Sequence, residues 1–471
     1  MPGGAKLGRP TGRALRGATR RALLAAGATL LPSLAFAQQQ QQPRRPPQPA
    51  PDPPVPPIVF VHGSGDSSAL WINNIWRFES NGWRRNYLDA IDFTNPSALR
   101  DNSKPQPNRS STDDQLQELA AFVAGVKKET RRRKVALIAS SRGGNAVRNF
   151  LKNGGGAEHV SHAILCGTPI KGIVAVDNLM VGSEFNGTAP FLRQLNSGTD
   201  DLIAGVELMA IRSDKADKYA QPDGRFIGAA GKPTGVGYDA MELRGAKNVV
   251  LEGLDHREVA FHKLAFAAQY EFIAGKPPAT LFIAQEPNPV LNGRATGLDG
   301  VYTNLPVAGA EVEIFEVDAK TGERRTSAPA HRKVTGADGW WGPFTARADA
   351  YYEFVLRIAG QPITHTYRSP FLRSSEVVHL RPGVFEKGET EAGGVVVMTR
   401  PRGYFGHGRD KFTLDGKVPP GINEGVPGTS VGRLVFEPGA RTVVAVLNNE
   451  TIPARTWPAR DNHIVYAEFL N

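Results

Sequence analysis

A chain of 471 residues is longer than one ordinary domain, and 40% hydrophobic with 22% charged residues fits a globular protein with a real core. The formal net charge of +10 is misleading, because residues 1–37 hold six of the cations and no acid. The remaining +4 argues against a nucleic-acid partner, and no run of about 18 apolar residues is present to form a transmembrane segment.

Residues 1–37 read as an export signal. Basic residues lead into the apolar run Ala22–Leu31, and Ala35-Phe36-Ala37 offers a small-x-small cleavage site. Arg20-Arg21 directly before the apolar run is similar to a twin-arginine signal, and a general secretory signal fits as well. Both readings put the mature protein in the periplasm or outside the cell. Cys166 is the only cysteine, so no internal disulfide is available and stability rests on burial.

Residues 38–57 are rich in Gln and Pro, which predicts an extended linker with order beginning near Ile58. From 58 to 276, short apolar runs alternate with helical stretches, the pattern of a parallel α/β sheet. Strands are predicted at PIVFVHG, KVALIAS, His162–Cys166, Glu207–Ile211 and Asn248–Leu251. Gln115–Thr130 is predicted as an amphipathic helix, with further helices at Gly143–Leu151 and Glu258–Ala274. After Gly275-Lys276-Pro277-Pro278 the pattern turns to β. Strands are expected at Ala279–Ala284, Ala310–Val317, Tyr352–Ile358, Glu376–Leu380, Gly394–Met398, Arg433–Glu437, Thr442–Leu447 and His463–Phe469. This predicts antiparallel sandwich or barrel modules over 279–385 and 386–471.

The chemistry centres on KVALIASSRGGNAVRNFL. An apolar strand runs into Ala139-Ser140-Ser141-Arg142-Gly143 and then into a helix, the strand–elbow–helix setting of a nucleophilic serine. Small residues at 139 and 143 let the tight turn approach strand and helix. A literal match to the G-x-S-x-G pattern, Gly428–Gly432, precedes a strand instead of following one and reads as a turn. A second apolar strand ends in His62-Gly63, where an oxyanion donor is expected. The backbone N–H groups of Ser64 and Arg142 are the candidates.

In sheets with such an elbow the base follows the nucleophile. Of His159, His162, His256 and His262, only His256 falls in a loop after a late strand. His159 and His162 begin a strand, and His262 lies in the predicted closing helix. The orienting acid is expected after GVELMAIRS, where Asp217 and Asp214 both stand within reach. Asp255, beside the histidine, is expected to point away.

The segments IVFVHGSGDSSALW, VALIASSRGG, HAILCGTP, IRSDKADKYAQP and LRGAKNVVLEGLDHREV, in this order, resemble bacterial lipases of the α/β-hydrolase superfamily. The small lidless lipases of bacilli share this arrangement. The match to their pattern implies a catalytic set of Ser141, Asp217 and His256, with oxyanion donors at Ser64 and Arg142. The run QYEFIAGKPPAT followed by GAEVEIFEVDAKTGERR is similar to archaeal long-chain lipases with a C-terminal β-domain, and that resemblance implies that the β-module helps engage lipid. The likeness covers about residues 58–385. Two residues depart from the pattern: Ser140 stands where His is usual, and Arg142 follows the nucleophile. A cation there points to an anionic or polar ester substrate.

The implied function is an exported ester hydrolase acting without metal or organic cofactor, its partner an ester or lipid substrate. A polyester depolymerase, an acyltransferase or a thioester hydrolase would use the same residues. An alternative is a lipid- or carbohydrate-binding protein on an inactive hydrolase scaffold, with Trp340, Trp341, Tyr351 and Tyr352 as its aromatic contacts.

Overall fold

The computed structural model describes residues 55–470. The export signal expected over 1–37, and all but the last three residues of the linker expected over 38–57, lie outside the described residues.

The first half is built on six parallel strands. In chain order it runs β1 (Ile58–Val61), α1 (Ile72–Ser80), β2 (Leu88–Ile91), α2 (Thr112–Thr130), β3 (Val135–Ser140), α3 (Arg142–Asn153), β4 (Val160–Cys166), α4 (Pro190–Leu195), β5 (Glu207–Ser213), β6 (Lys247–Leu251), α5 (Glu258–Phe261) and α6 (Lys263–Ala274). The sheet order is β2-β1-β3-β4-β5-β6, every pair parallel.

The central strands are continuous apolar runs because both of their faces are covered. Val59, Val61, Leu137 and Leu165 pack towards α2 and α3 through Leu119, Val123, Val147 and Phe150. Ile58, Phe60, Ile138 and Ile164 pack towards α1 and α6 through Ile75, Phe78, Phe266 and Tyr270. A reciprocal capping box between Ser111 and Asp114 starts α2. The closing helix expected over Glu258–Ala274 is broken at His262, whose backbone is extended and whose ring accepts from Leu264 N–H to cap α6.

The second half is β-rich: β7 (Val290–Leu291), β8 (Thr296–Asp299), β9 (Val301–Pro306), β10 (Glu311–Val317), β11 (His331–Val334), β12 (Phe344–Thr345), β13 (Tyr351–Arg357), β14 (Ile363–Arg368), β15 (Gly394–Thr399), β16 (Phe412–Leu414), β17 (Val431–Phe436), β18 (Thr442–Leu447), β19 (Glu450–Arg455) and β20 (His463–Glu468). Seven strands form one sheet, β11-β10-β13-β14-β20-β15-β17. The boundary expected between 279–385 and 386–471 runs through this sheet. The last strand, β20, returns to lie between β14 and β15, parallel to both, so the sheet is mixed rather than antiparallel. A three-stranded sheet, β16-β18-β19, shares a core with it through Val396, Met398, Val465, Leu414, Val443 and Ile452.

Two expected strands are absent. Ala279–Ala284 bends and pairs in no sheet, with its Thr280 and Ala284 N–H groups bound by side chains at the end of α1, Asn81 and Ser80. Glu376–Leu380 makes only an isolated bridge, from Leu380 to Ala295. The aromatic contacts expected of a binding module are also not a surface platform. Trp341 and Tyr352 are buried in the β core, and Trp340 and Tyr351 are half-buried.

Helix α1 joins the two halves. Ile75 and Phe78 face the α/β sheet, while Ile72 and Trp76 enter a core with Leu291, Trp341, Phe354 and Phe371. The Trp76 indole N–H donates to the Ser374 carbonyl at 2.9 Å. A helix buried on two sides couples the stability of the layers it joins. Denaturant unfolding followed by fluorescence and by far-UV circular dichroism is therefore expected to show one shared transition. Trp76→Ala is expected to lower stability by about 3–5 kcal/mol across that whole transition. Two separated transitions, with only one moved by the substitution, would contradict the shared core.

Candidate active site

In the order β2-β1-β3 the chain winds outward from β1 to one side and then returns past it to the other, so the strand order switches between β1 and β3, the place where a crevice forms beyond their carboxyl ends. Ser64 follows β1 and Ser141 follows β3 at this crevice. Ser141 adopts φ 52°, ψ −124°, outside the helix that begins at Arg142. The bend is pinned on both sides: Ser141 N–H donates to the Cys166 carbonyl on β4 at 2.8 Å, and Gly144 N–H donates to the Ser141 carbonyl at 3.0 Å.

Close packing dictates the small residues around it. A Cβ on Gly143 would stand 2.5 Å from the His62 carbonyl and 2.8 Å from that of Val61. A Cβ on Gly63 would meet Ser141 Cβ at 3.0 Å. Ala139 is fully buried in β3. His62 is an internal brace: Nδ1 donates to the Gly63 carbonyl at 2.8 Å and Nε2 accepts from Phe93 N–H at 3.1 Å. Burial holds its pKa below the usual histidine value, which suits this neutral, two-sided role.

The Ser141 hydroxyl lies 2.9 Å from His256 Nε2, and His256 Nδ1 lies 2.8 Å from Asp217 Oδ2. Asp217 follows β5 and is itself fixed, since its other oxygen accepts from Tyr219 N–H at 2.8 Å. The Tyr219 ring stands edge-on to the imidazole, 4.6 Å between centroids. Asp214 does not reach His256; its carboxylate accepts from Gly253 N–H and the Ser213 hydroxyl, both at 3.2 Å. Asp255 turns away and caps α5 through the N–H groups of Arg257 and Glu258. His159 and His162 lie before and at the start of β4, bonded to Lys127 and Ser161.

A cavity of about 290 Å³ opens over Ser141. Pro169, Ile173, Met180 and Phe185 give it an apolar wall, and Tyr219 and Tyr404 face it beside His256. Its polar rim, Arg257 and Asp66, is an ion pair at 2.9 Å.

The cation expected near the reacting centre is not there. The Arg142 guanidinium is completely buried and turned into the protein, where it pairs with Glu184 through Nε (2.6 Å) and Nη2 (2.7 Å). It also donates to the Pro96 and Ser110 carbonyls and the Ser110 hydroxyl. A fully compensated bidentate pair offers no free charge to a substrate, and Arg142 does not line the cavity. Glu184 was not legible in the sequence, because nothing local marks a carboxylate 42 residues away as the partner of Arg142.

Elsewhere a second Ser, His and Asp meet: His379 Nε2 lies 2.8 Å from the Ser68 hydroxyl and 2.9 Å from Asp92. Here Arg294 N–H donates to His379 Nδ1, which leaves the ring proton on Nε2, facing both neighbours. This nitrogen cannot accept the serine proton, so the cluster is a buried clasp between the two halves rather than a nucleophilic site. The other pattern match, Gly428–Gly432, lies in the approach to and the start of β17, and the Gly428 carbonyl accepts from Lys218 Nζ at 2.8 Å.

Comparison with known proteins agrees with the chain's layout. Residues 55–187 match the family model of the class 2 lipases, and residues 289–384 match that of the lipase C-terminal domain. Among solved structures, a mature Bacillus licheniformis lipase is similar at 22% identity over 48% of this chain and 96% of its own, with a TM-score of 0.35. The same lipase in its propeptide form is 16% identical over 87% of this chain and 94% of its own, TM-score 0.35. Aspergillus fumigatus lipase B is 17% identical over 48% and 54%, TM-score 0.34. Lipase family matches in both halves of the chain, the first of them on the parallel six-stranded α/β sheet, support a carboxylic ester hydrolase of the α/β-hydrolase lipase kind with a C-terminal lipase domain.

Proposed function

We propose that this is an exported serine esterase working through an acyl-enzyme, with Ser141 as nucleophile, His256 as general base and Asp217 as the acid that orients it. The observation that carries the reading is the unbroken chain of short contacts from the Ser141 hydroxyl through His256 to Asp217, 2.9 and 2.8 Å long, on the floor of a cavity. In this mechanism Ser141 Oγ attacks the ester carbonyl and its proton passes to His256 Nε2. Asp217 holds the Nδ1–H tautomer and stabilises the imidazolium. The negative charge on the carbonyl oxygen is taken by the N–H groups of Ser64 and Arg142, the second at the N-terminus of α3. His256 then protonates the departing alcohol, and water activated by the same imidazole releases the acid.

The cavity supports a choice of substrate class. Its volume lies near the lower end of the roughly 300–1,000 Å³ typical of ligand pockets, and its apolar wall suits an acyl chain. A neutral ester with a short or medium acyl chain fits better than the anionic one expected from Arg142. A lipid interface would meet the C-terminal β-region, where Val418, Val431 and Val435 stand exposed on or beside the edge strand β17. Export rests on the signal-like residues 1–37. Among the described residues, no helix is long and apolar enough to cross a membrane.

Hydrolysis of p-nitrophenyl esters of graded chain length tests this reading. The mature protein is expected to favour short to medium acyl chains, and Ser141→Ala is expected to abolish turnover. Activity retained by that variant would remove the nucleophile assignment. Asp217→Asn is expected to lower kcat by about 10³–10⁴-fold through loss of the oriented tautomer, while Asp214→Asn leaves it near wild type; the reverse order would move the acid to Asp214. Glu184→Ala strands the buried Arg142 guanidinium and is expected to lower unfolding stability by about 3–5 kcal/mol. An unchanged denaturation midpoint would show that the pair is not what satisfies Arg142.

A further inference from the structure

The loop that bears His256 is flanked by two buried carboxylates, Asp255 and Glu258. Burial, with Asp255 beside it, pushes the Glu258 carboxyl up to about 7. Uncompensated charges here would loosen the loop, so the groups that compensate them decide where His256 sits. Among the described residues, the ion-pair partners of both carboxylates come from one segment of the C-terminal half. Arg409 reaches Glu258 at 2.6 Å and Asp255 at 3.2 Å, and Arg400 reaches Glu258 at 2.5 Å. Tyr404 N–H donates to Asp255 at 2.7 Å, and the Pro401 carbonyl accepts from Arg257 at 2.5 Å. The fan is cross-braced, since Asp410 binds both arginines and the Tyr404 carbonyl accepts from both.

The same segment enters the site itself. Tyr404 lines the cavity over Ser141, and the Lys218 ammonium sits 4.4 Å above its ring. Segment 400–410 lies outside both stretches that match lipase family models.

We propose that residues 400–410 are a working part of the active site: Arg400 and Arg409 position the His256 loop, and Tyr404 forms the wall that limits the ester the cavity accepts. This rests on His256 being the base. The C-terminal half then contributes to turnover of dissolved esters, not only to contact with lipid. Arg400 and Arg409 are positioning residues. They act through Asp255 and Glu258, so their loss displaces the imidazole from Ser141 without touching the substrate.

The test compares full-length wild type, Arg409→Ala, Arg409→Lys and Tyr404→Ala on dissolved p-nitrophenyl butyrate, with rates expressed per active site titrated. Arg409→Ala is expected to lower kcat by roughly 10- to 100-fold, the cost of a misplaced catalytic group, with KM little changed. Arg409→Lys, or guanidinium added at low concentration to Arg409→Ala, is expected to restore part of it. Tyr404→Ala keeps the N–H that binds Asp255 and is expected to move the preferred ester towards longer chains. A kcat per titrated site equal to wild type in Arg409→Ala, or a loss matched wholly by lost sites, overturns the positioning role. Should Arg409→Ala not fold, an unchanged chain-length profile in Tyr404→Ala overturns the proposal. Wild type unable to hydrolyse any ester in the series would instead overturn the reading of His256 on which it rests.

Discussion

Ser141 occupies a backbone conformation, φ 52° and ψ −124°, that costs a residue with a side chain of order 1–3 kcal/mol. Such a bend persists only where its surroundings leave no alternative. Here β3, buried at all six positions, enters it, and α3, whose first ten residues are buried, leaves it. Gly143 allows the helix to start within touching distance of the His62 and Val61 carbonyls. Arg142, tied down at Glu184, Pro96 and Ser110, stops the first turn from drifting. The serine hydroxyl is thereby aimed before any substrate arrives, which is how a fold lends stability to a reactive geometry.

The partners of that hydroxyl are fixed from a different direction. Asp217 is held by the chain that follows β5, but the loop of His256 is held by groups 142 to 154 residues further on. The shared core around Trp76, the clasp of Ser68, Asp92 and His379, and the Arg400–Arg409 fan all cross between the halves. The β-region is joined to the α/β sheet by buried groups, not by a tether. Changes far from Ser141 in sequence are therefore expected to reach the site through rigid contacts.

How much of this was legible in the sequence follows from the range of the forces involved. Strands such as KVALIAS announce themselves because burial on both faces demands an unbroken apolar run. The candidates Ser141 and His256 were readable because each sits at a fixed place relative to a strand end, whereas strand position left Asp217 and Asp214 both open and only the resemblance to lipases favoured Asp217. The short β2 carries Asp89 at the sheet edge, and α1 is buried on two sides, so neither shows a clean period. The break at His262 depends on a ring capping the next turn, a choice made in three dimensions. Arg142 was misread because sequence shows a charge but not its partner. Tyr404, Arg400 and Arg409 carry no local signal at all; only the return of the chain brings them to the His256 loop.

The most direct measurement is the covalent site of a serine-reactive fluorophosphonate, located by peptide mass spectrometry on the full-length protein. One adduct per chain is expected, on the peptide containing Ser141 and on that serine alone. An adduct on Ser68, in the clasp with His379 and Asp92, or on Ser430, in the stray pattern match, would contradict it, as would a folded protein that takes no label.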